Sequence, residues 1–160
     1  METLVAITIL VIAIVGPLYA VHKAIMASNV ARDQLIATAL AQEGLEYVRS
    51  VRDTNYLAGA SWLNGLTSCS GTSGCSVDPH TASIAPCAGQ RSGGCTPLRL
   101  SANKQYTQTQ NVSFATTRFS RKVIITSLSP DEIDVAVTVS WTTLRTPYSV
   151  TVTEQLYNWL

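Results

Sequence analysis

METLVAITILVIAIVGPLYAVHK, residues 1–23, sets how the rest of the chain must be read. After Glu2 come nineteen residues, 3–21, without a charge, mostly Ile, Val, Leu and Ala. At 1.5 Å rise per residue, a helix of that length crosses the roughly 30 Å hydrocarbon core of a bilayer. A secretory signal has a shorter apolar run, with a basic segment before it and a small-residue cleavage site after it, and residues 1–23 fit neither flank. The stretch predicts a membrane-spanning helix over 3–21. Gly16-Pro17 is the expected weak point or kink, because proline brings no backbone N–H to the helix. Glu2 is the anomaly, since a carboxylate drawn into apolar surroundings needs a cation to neutralise it.

The helical pattern continues past the apolar run but changes character. Val30, Ala37, Ala41, Leu45 and Val48 recur at helical spacing, widened by Leu40 and Val51, while Arg32, Asp33, Glu43, Glu46, Arg49 and Arg52 take other positions. Glu46 and Arg49, three apart, support the helix. The spacing predicts one helix of about fifty residues, on the order of 75 Å long, leaving at "DTNYLAG" near residue 57. The division expected is therefore a helix over 1–57 and a globular β domain over 58–160.

Two stretches near the end have period two. EIDVAVTVSWTT (132–143) puts Ile133, Val135, Val137, Val139 and Trp141 on one face. PYSVTVTEQLYNW (147–159) does the same with Tyr148, Val150, Val152, Glu154 and Leu156, and RFSRKVIITSL (118–128) reads as a third strand, less cleanly alternating. "SPDE" and "LRTP" supply the turns. Three strands are marginal alone, so the apolar face of this antiparallel meander, over about 118–158, needs a cover. The amphipathic half of the long helix is the only one available. The fold class expected is α+β, a long helix packed on a small antiparallel sheet.

Between them, residues 58–111 are dense in Gly, Ser, Thr and Pro and read as a long irregular, exposed region held together by its cysteines. Cys69, Cys75, Cys87 and Cys95 include no CxxC pair. A zinc site using His80 is the competing reading, but an even count in a loop-rich, export-type chain points to two disulfides and an oxidising, extracytoplasmic setting. Three pairings exist; Cys69–Cys75 with Cys87–Cys95 is favoured because small loops close most readily.

Composition and motifs exclude much. The net charge of +1 offers no basic surface for nucleic acid. No G-x-S-x-G elbow, P-loop, dinucleotide fingerprint or HExxH occurs. His22 reads as a boundary residue beside Lys23; His80 stands near Asp78 with no evident nucleophile; the acids of "DEID" (131–134) read as a solvated turn rather than a calcium loop. "NVS" (111–113) matches a glycosylation sequon, and Trp62, Trp141 and Trp159 read as packing residues. No enzyme, cofactor or metal centre is expected.

The glutamate followed by TLVAITILVIAIVG, with its amphipathic continuation, resembles the N-terminal helix of type IV pilins and type II secretion pseudopilins. ALAQEGLEYVRSVRDTNYL (39–57) is similar to the helix exit of such proteins, and VTVSWTT with YSVTVTEQLYNW to the closing sheet of minor pilins and pseudopilins. The resemblance covers the first 57 residues and about the last 40, and none of the cysteine region. It implies a subunit of a helical filament built from copies of itself and other pilins, drawn from the inner membrane by a dedicated ATPase machine and ending outside the cell. It also implies that Glu2 pairs with the methylated N-terminal amine of an adjacent subunit, with Gly16 and Pro17 in the packed stem. The family pattern places a basic leader ending in glycine and a few apolar residues ahead of the glutamate, where this sequence has Met1 alone. Two expectations follow: either the chain in nature begins upstream of Met1, or its start is an unusual one for the family. A minor pilin or pseudopilin of a secretion or DNA-uptake system is an alternative. So is a monomeric, single-span adhesin-like module with the cysteine region as its recognition surface.

Overall fold

The computed structural model describes residues 2–87, 95–111 and 113–159. Its fold class is the one expected: α+β, one N-terminal helix and an antiparallel sheet. Helix α1, Glu2–Leu57, is 56 residues long and runs through Gly16 and Pro17 without interruption. The pair expected as a weak point or kink thus lies inside the helix, where Pro17 has no N–H to offer the carbonyl four residues earlier, at Ala13.

Compactness divides the chain inside this helix rather than at its end. One unit is Met1–Leu35 and the other Ile36–Leu160. In the first unit nearly every described residue of α1 is exposed, Leu4, Ile7, Leu10, Ile14 and Leu18 among them. The second unit contains the core.

Seven strands form one sheet. They are β1 (Cys75–Asp78), β2 (Ser83–Pro86), β3 (Pro97–Leu100), β4 (Tyr106–Thr107), β5 (Ala115–Ser129), β6 (Glu132–Thr143) and β7 (Thr146–Tyr157). β5 is the spine. One edge of it pairs with β6, which pairs with β7 in unbroken register from Glu132↔Tyr157 to Thr143↔Thr146. The other edge meets β3 and, at Val123, β1; β4 and β2 lie beyond them. The β6–β7 hairpin turns at Leu144 and Arg145, with φ of 51° and 69°. Positive φ at both central residues is the tight turn whose twist matches the flanking strands.

The alternation read from the sequence decides the buried face. Ile133, Val135, Val137, Val139 and Trp141 of β6 are buried, as are Phe119, Val123 and Ile125 of β5 and Leu156 of β7. Ala37, Leu40, Ala41, Leu45 and Val48 of α1 belong to the same apolar cluster, so the amphipathic half of the helix is the sheet's cover. Each fully buried aliphatic side chain there contributes about 1.5–3 kcal/mol. Trp62 and Trp141 are core residues as expected, whereas Trp159 is exposed and stacks on Tyr157, centroids 4.5 Å apart.

The stretch 58–111 departs from expectation. It is not simply an irregular surface: it contributes four short strands and a 3-10 turn, Thr67–Cys69, and it buries Leu66, Cys69, Cys75, Val77 and Leu98. Strands of two to four residues are too short to show a period, which is why they do not appear in the sequence pattern. Both disulfides form with the favoured pairing, Cys69–Cys75 and Cys87–Cys95.

Candidate functional site

Two features distinguish this chain, an apolar helical surface without cover and a buried polar knot beneath the sheet's helix. The first is residues 2–25 of α1. The helix is long and apolar enough to cross a membrane, and none of its most apolar window is buried. Glu2 sits in its first turn and is exposed; Gly16 and Pro17 are exposed, and a side chain built on Gly16 would meet nothing within 4 Å. Lys23 lies 5.4 Å from the centre of the Tyr19 ring, so the first cation after the apolar run covers the last aromatic of it.

The second feature is centred on Arg121. Its side chain is fully buried in the inward-facing row of β5, between Phe119 and Val123. Nη1 donates to the Leu40 carbonyl at 2.9 Å and to Glu43 Oε2 at 2.7 Å, and Nη2 donates to the Val77 carbonyl at 2.8 Å. One guanidinium therefore joins α1, β1 and β5. The planar fork suits this, because it meets several acceptors at once from a fixed geometry. Gly44 makes room for it: a Cβ there would stand 3.0 Å from Arg121 Cδ and 3.1 Å from a Val137 methyl. A glycine in a helix interior, costly by about 1 kcal/mol against alanine, is explained by that approach.

Asp78, next to Val77, extends the knot. Its carboxylate is buried; Oδ2 accepts from Thr107 Oγ1 (2.5 Å), the Gln108 N–H (2.9 Å) and Thr109 Oγ1 (3.4 Å), and Oδ1 accepts from the His80 N–H (3.1 Å). Burial pushes this carboxyl up, but the hydrogen bonds from Thr107, Gln108, Thr81 and His80 outweigh it and hold Asp78 below the usual value of 3.8. Nearby, burial and the Asp78 charge push the Tyr47 phenol up. Gln108 Nε2 donates to the Arg121 carbonyl, closing the network. At the far end of the helix's contact with the sheet, Arg49 bridges Glu46 at 2.7 Å and Glu154 of β7.

This arrangement holds elements together. The Asp78–His80 contact is made by the His80 backbone, and both carboxylate oxygens already accept hydrogen bonds. The acids of 131–134 do not converge; the Asp131 carboxylate and carbonyl accept from the Asn158 side chain and backbone, tying the chain after β7 to the β5–β6 turn. Asn111 accepts at Oδ1 from the Ser113 N–H, so the sequon residue lies in a local turn. Among the described residues no group of three or more His, Cys, Asp or Glu side chains is placed to hold a metal. The four cysteines are paired with one another.

Sequence reasoning did not single out Arg121 or Gly44, and it weighed Asp78 only as a neighbour of His80. A signal for the first exists: Arg121 falls on the same parity as Phe119, Val123 and Ile125, and a charge at an inward position of a strand requires a partner.

A pH experiment checks the account of Asp78. A carboxyl held below its unfolded value stabilises the fold above that value and ceases to as pH falls through its folded one. Thermal unfolding between pH 2 and pH 7 is expected to show the midpoint declining below about pH 4. In Asp78→Asn the midpoint should be lower at pH 7, by the equivalent of about 1–3 kcal/mol, because an NH2 now faces donors. Its acid decline should also be shallower. An unchanged slope in the variant would show that other carboxyls carry the effect.

No family model, curated protein or solved structure matches this chain.

Proposed function

We propose that this chain is a non-enzymatic structural subunit of a type IV pilus-like filament, held in the inner membrane by its N-terminal helix before assembly. The observation that carries the reading is the pairing of two surfaces on one uninterrupted helix. Residues 2–25 expose an apolar rod, and the same helix from Ala37 to Val48 is buried against a sheet. A simple membrane anchor joins its domain through a flexible linker, whereas here no break in the helix separates the two. A rod of that kind leaves the bilayer only if other apolar surface replaces lipid, and copies of itself supply that surface. Glu2, the one carboxylate before residue 33, supports the reading because a bundle of such rods would enclose it and demand a cation from a neighbour. The resemblance to pilins names the neighbour's terminal amine. Both disulfides suit exposure to an oxidising exterior.

Electron microscopy of material sheared from cells producing the chain tests this. Long polymers that carry it are the expected result, with Glu2→Ala reducing them sharply. A chain that stays monomeric in the membrane fraction, unaffected by Glu2→Ala, would instead be the single-span binding module.

A further inference from the structure

We propose that β7 pairs with β7 of a second copy of this chain, antiparallel and centred on Thr151, so that one sheet runs through two molecules. β7 belongs to the sheet-bearing unit and shares no residue with the apolar rod, so this contact is independent of the filament reading. The strand is 12 residues long and pairs only with β6. The sheet's other outermost strands, β2 and β4, have four and two residues, too short to serve as templates.

The hairpin decides which backbone groups of β7 are free. Leu144 and Arg145 alone make its turn, so Thr143 and Thr146 face each other as a hydrogen-bonded pair. The register has no bulge from there to Glu132↔Tyr157, so the even positions of β7 direct their N–H and C=O groups to β6. The odd positions, Ser149, Thr151, Thr153 and Gln155 among them, point theirs to the open edge. Pro147 shares that parity, so its missing N–H leaves the β6 ladder whole. Near the other end α1 reaches the strand, through Arg49 to Glu154 and through Arg52 Nη1 to the Tyr157 carbonyl. Between these ends Ser149, Thr151 and Thr153 are exposed, and no described residue outside the sheet hydrogen-bonds their backbone. Neither a lysine, a bulge nor a proline protects the edge over 148–153.

Pattern and charge choose the occupant. With Thr151 opposite Thr151 of the second copy, Ser149 falls opposite Thr153 and Val150 opposite Val152. Hydroxyls then meet hydroxyls on the outer face, extending the row in which the Thr138 and Thr151 hydroxyls already bond at 2.9 Å. The half-buried valines meet valines at the rim of the core. The three odd pairs exchange about six N–H···O bonds. The strand's ends differ in charge: Arg145 stands at its start, whereas Glu154 is near its close and Glu132 and Asp134 lie opposite Tyr157 and Gln155. Antiparallel pairing sets the basic end of each copy beside the acidic end of the other. Such a contact is isologous and closes at two copies.

The test uses the full chain in detergent, its native disulfides intact, with single cysteines introduced into β7. Residues opposite each other in such a pair have Cα atoms about 5.5 Å apart, within disulfide range, whereas positions four residues out of register are more than about 13 Å apart. Under mild oxidation Thr151→Cys is expected to crosslink to itself, and Ser149→Cys to Thr153→Cys only when the two are mixed. Adding Thr151→Lys to both members of the mixed pair should lower its yield about fivefold, equivalent to about 1 kcal/mol, with the circular dichroism spectrum unchanged. Thr151→Lys in one member with Thr151→Glu in the other should restore it. A Thr151→Cys chain that stays uncrosslinked, single variants that crosslink as well alone as mixed, or a yield that Thr151→Lys leaves unchanged would each overturn the pairing.

Discussion

Replacing Arg121 by alanine is expected to destabilise the sheet-bearing unit by about 3–5 kcal/mol, among the largest single effects in the chain. The loss has three sources. The Leu40 and Val77 carbonyls lose the donor they share, Glu43 loses its cation, and a fully buried side chain leaves a void between α1 and the sheet. Glu43 is half-exposed and returns to water at small cost, so most of the loss falls on the two carbonyls and the void. Lysine should recover only part of it, because one ammonium cannot reproduce a fork that reaches three acceptors in two directions. Glu43→Ala is the informative partner: it leaves the guanidinium buried with backbone acceptors alone. Its cost should exceed that of an ordinary surface ion pair, about 0–1 kcal/mol. Thermal unfolding of the full chain, followed by circular dichroism, should place Arg121→Ala on the order of 10 °C below the parent. A shift of a degree or two would mean that the helix is held by apolar contact alone.

The second large effect separates two accounts of the disulfides. Chain entropy ranks them by loop length: separations of six and eight residues give about 2.2 kcal/mol for Cys69–Cys75 and about 2.5 kcal/mol for Cys87–Cys95. Packing ranks them the other way. Cys69 and Cys75 lie in the main apolar cluster, with Cys75 opposite Val123 of β5 and Ser70 bridged to Ile125. Gly74, between them in sequence, sits at φ 62° with its Cα so close to β5 that a Cβ would stand 2.5 Å from the Val123 carbonyl. Cys69→Ala/Cys75→Ala is therefore expected to cost about 4 kcal/mol, the loop entropy plus lost core contacts. Cys87→Ala/Cys95→Ala should cost nearer the entropic figure alone. Denaturant unfolding of the two double variants decides the order, and the reverse order would assign the stabilisation to chain entropy.

How far the sequence foretold the structure depends on the length of the pattern in each element. The helix and the β5–β7 meander repeat their periods over 12 to 56 residues, so their types and the face they bury could be read directly. Loop size favoured the disulfide pairing that formed, among three open ones. β1 to β4 did not show, because Val77 and Leu98 are isolated apolar residues in polar stretches, and what makes them strands is pairing with partners up to forty-eight positions away, as at Cys75↔Val123. Arg121 and Gly44 were missed for a related reason: each is odd in its own element and makes sense only against the other, across 77 positions of sequence. The apolar rod and Glu2 were legible from the first line.

The Arg121 fork also fixes how the molecule bears tension. Within the sheet-bearing unit the helix from Ile36 to Glu43 has neither proline nor glycine, so a pull on it travels along its hydrogen-bonded turns. It arrives at Leu40 and Glu43, where the guanidinium holds the helix to β1 and β5. Slippage of the helix by a single residue would break the Leu40 and Glu43 contacts at once and drive the flank of Gly44 off the arginine stem. The guanidinium accordingly fixes the helix's register on the sheet, since no one-residue slip keeps all three of its acceptors in place.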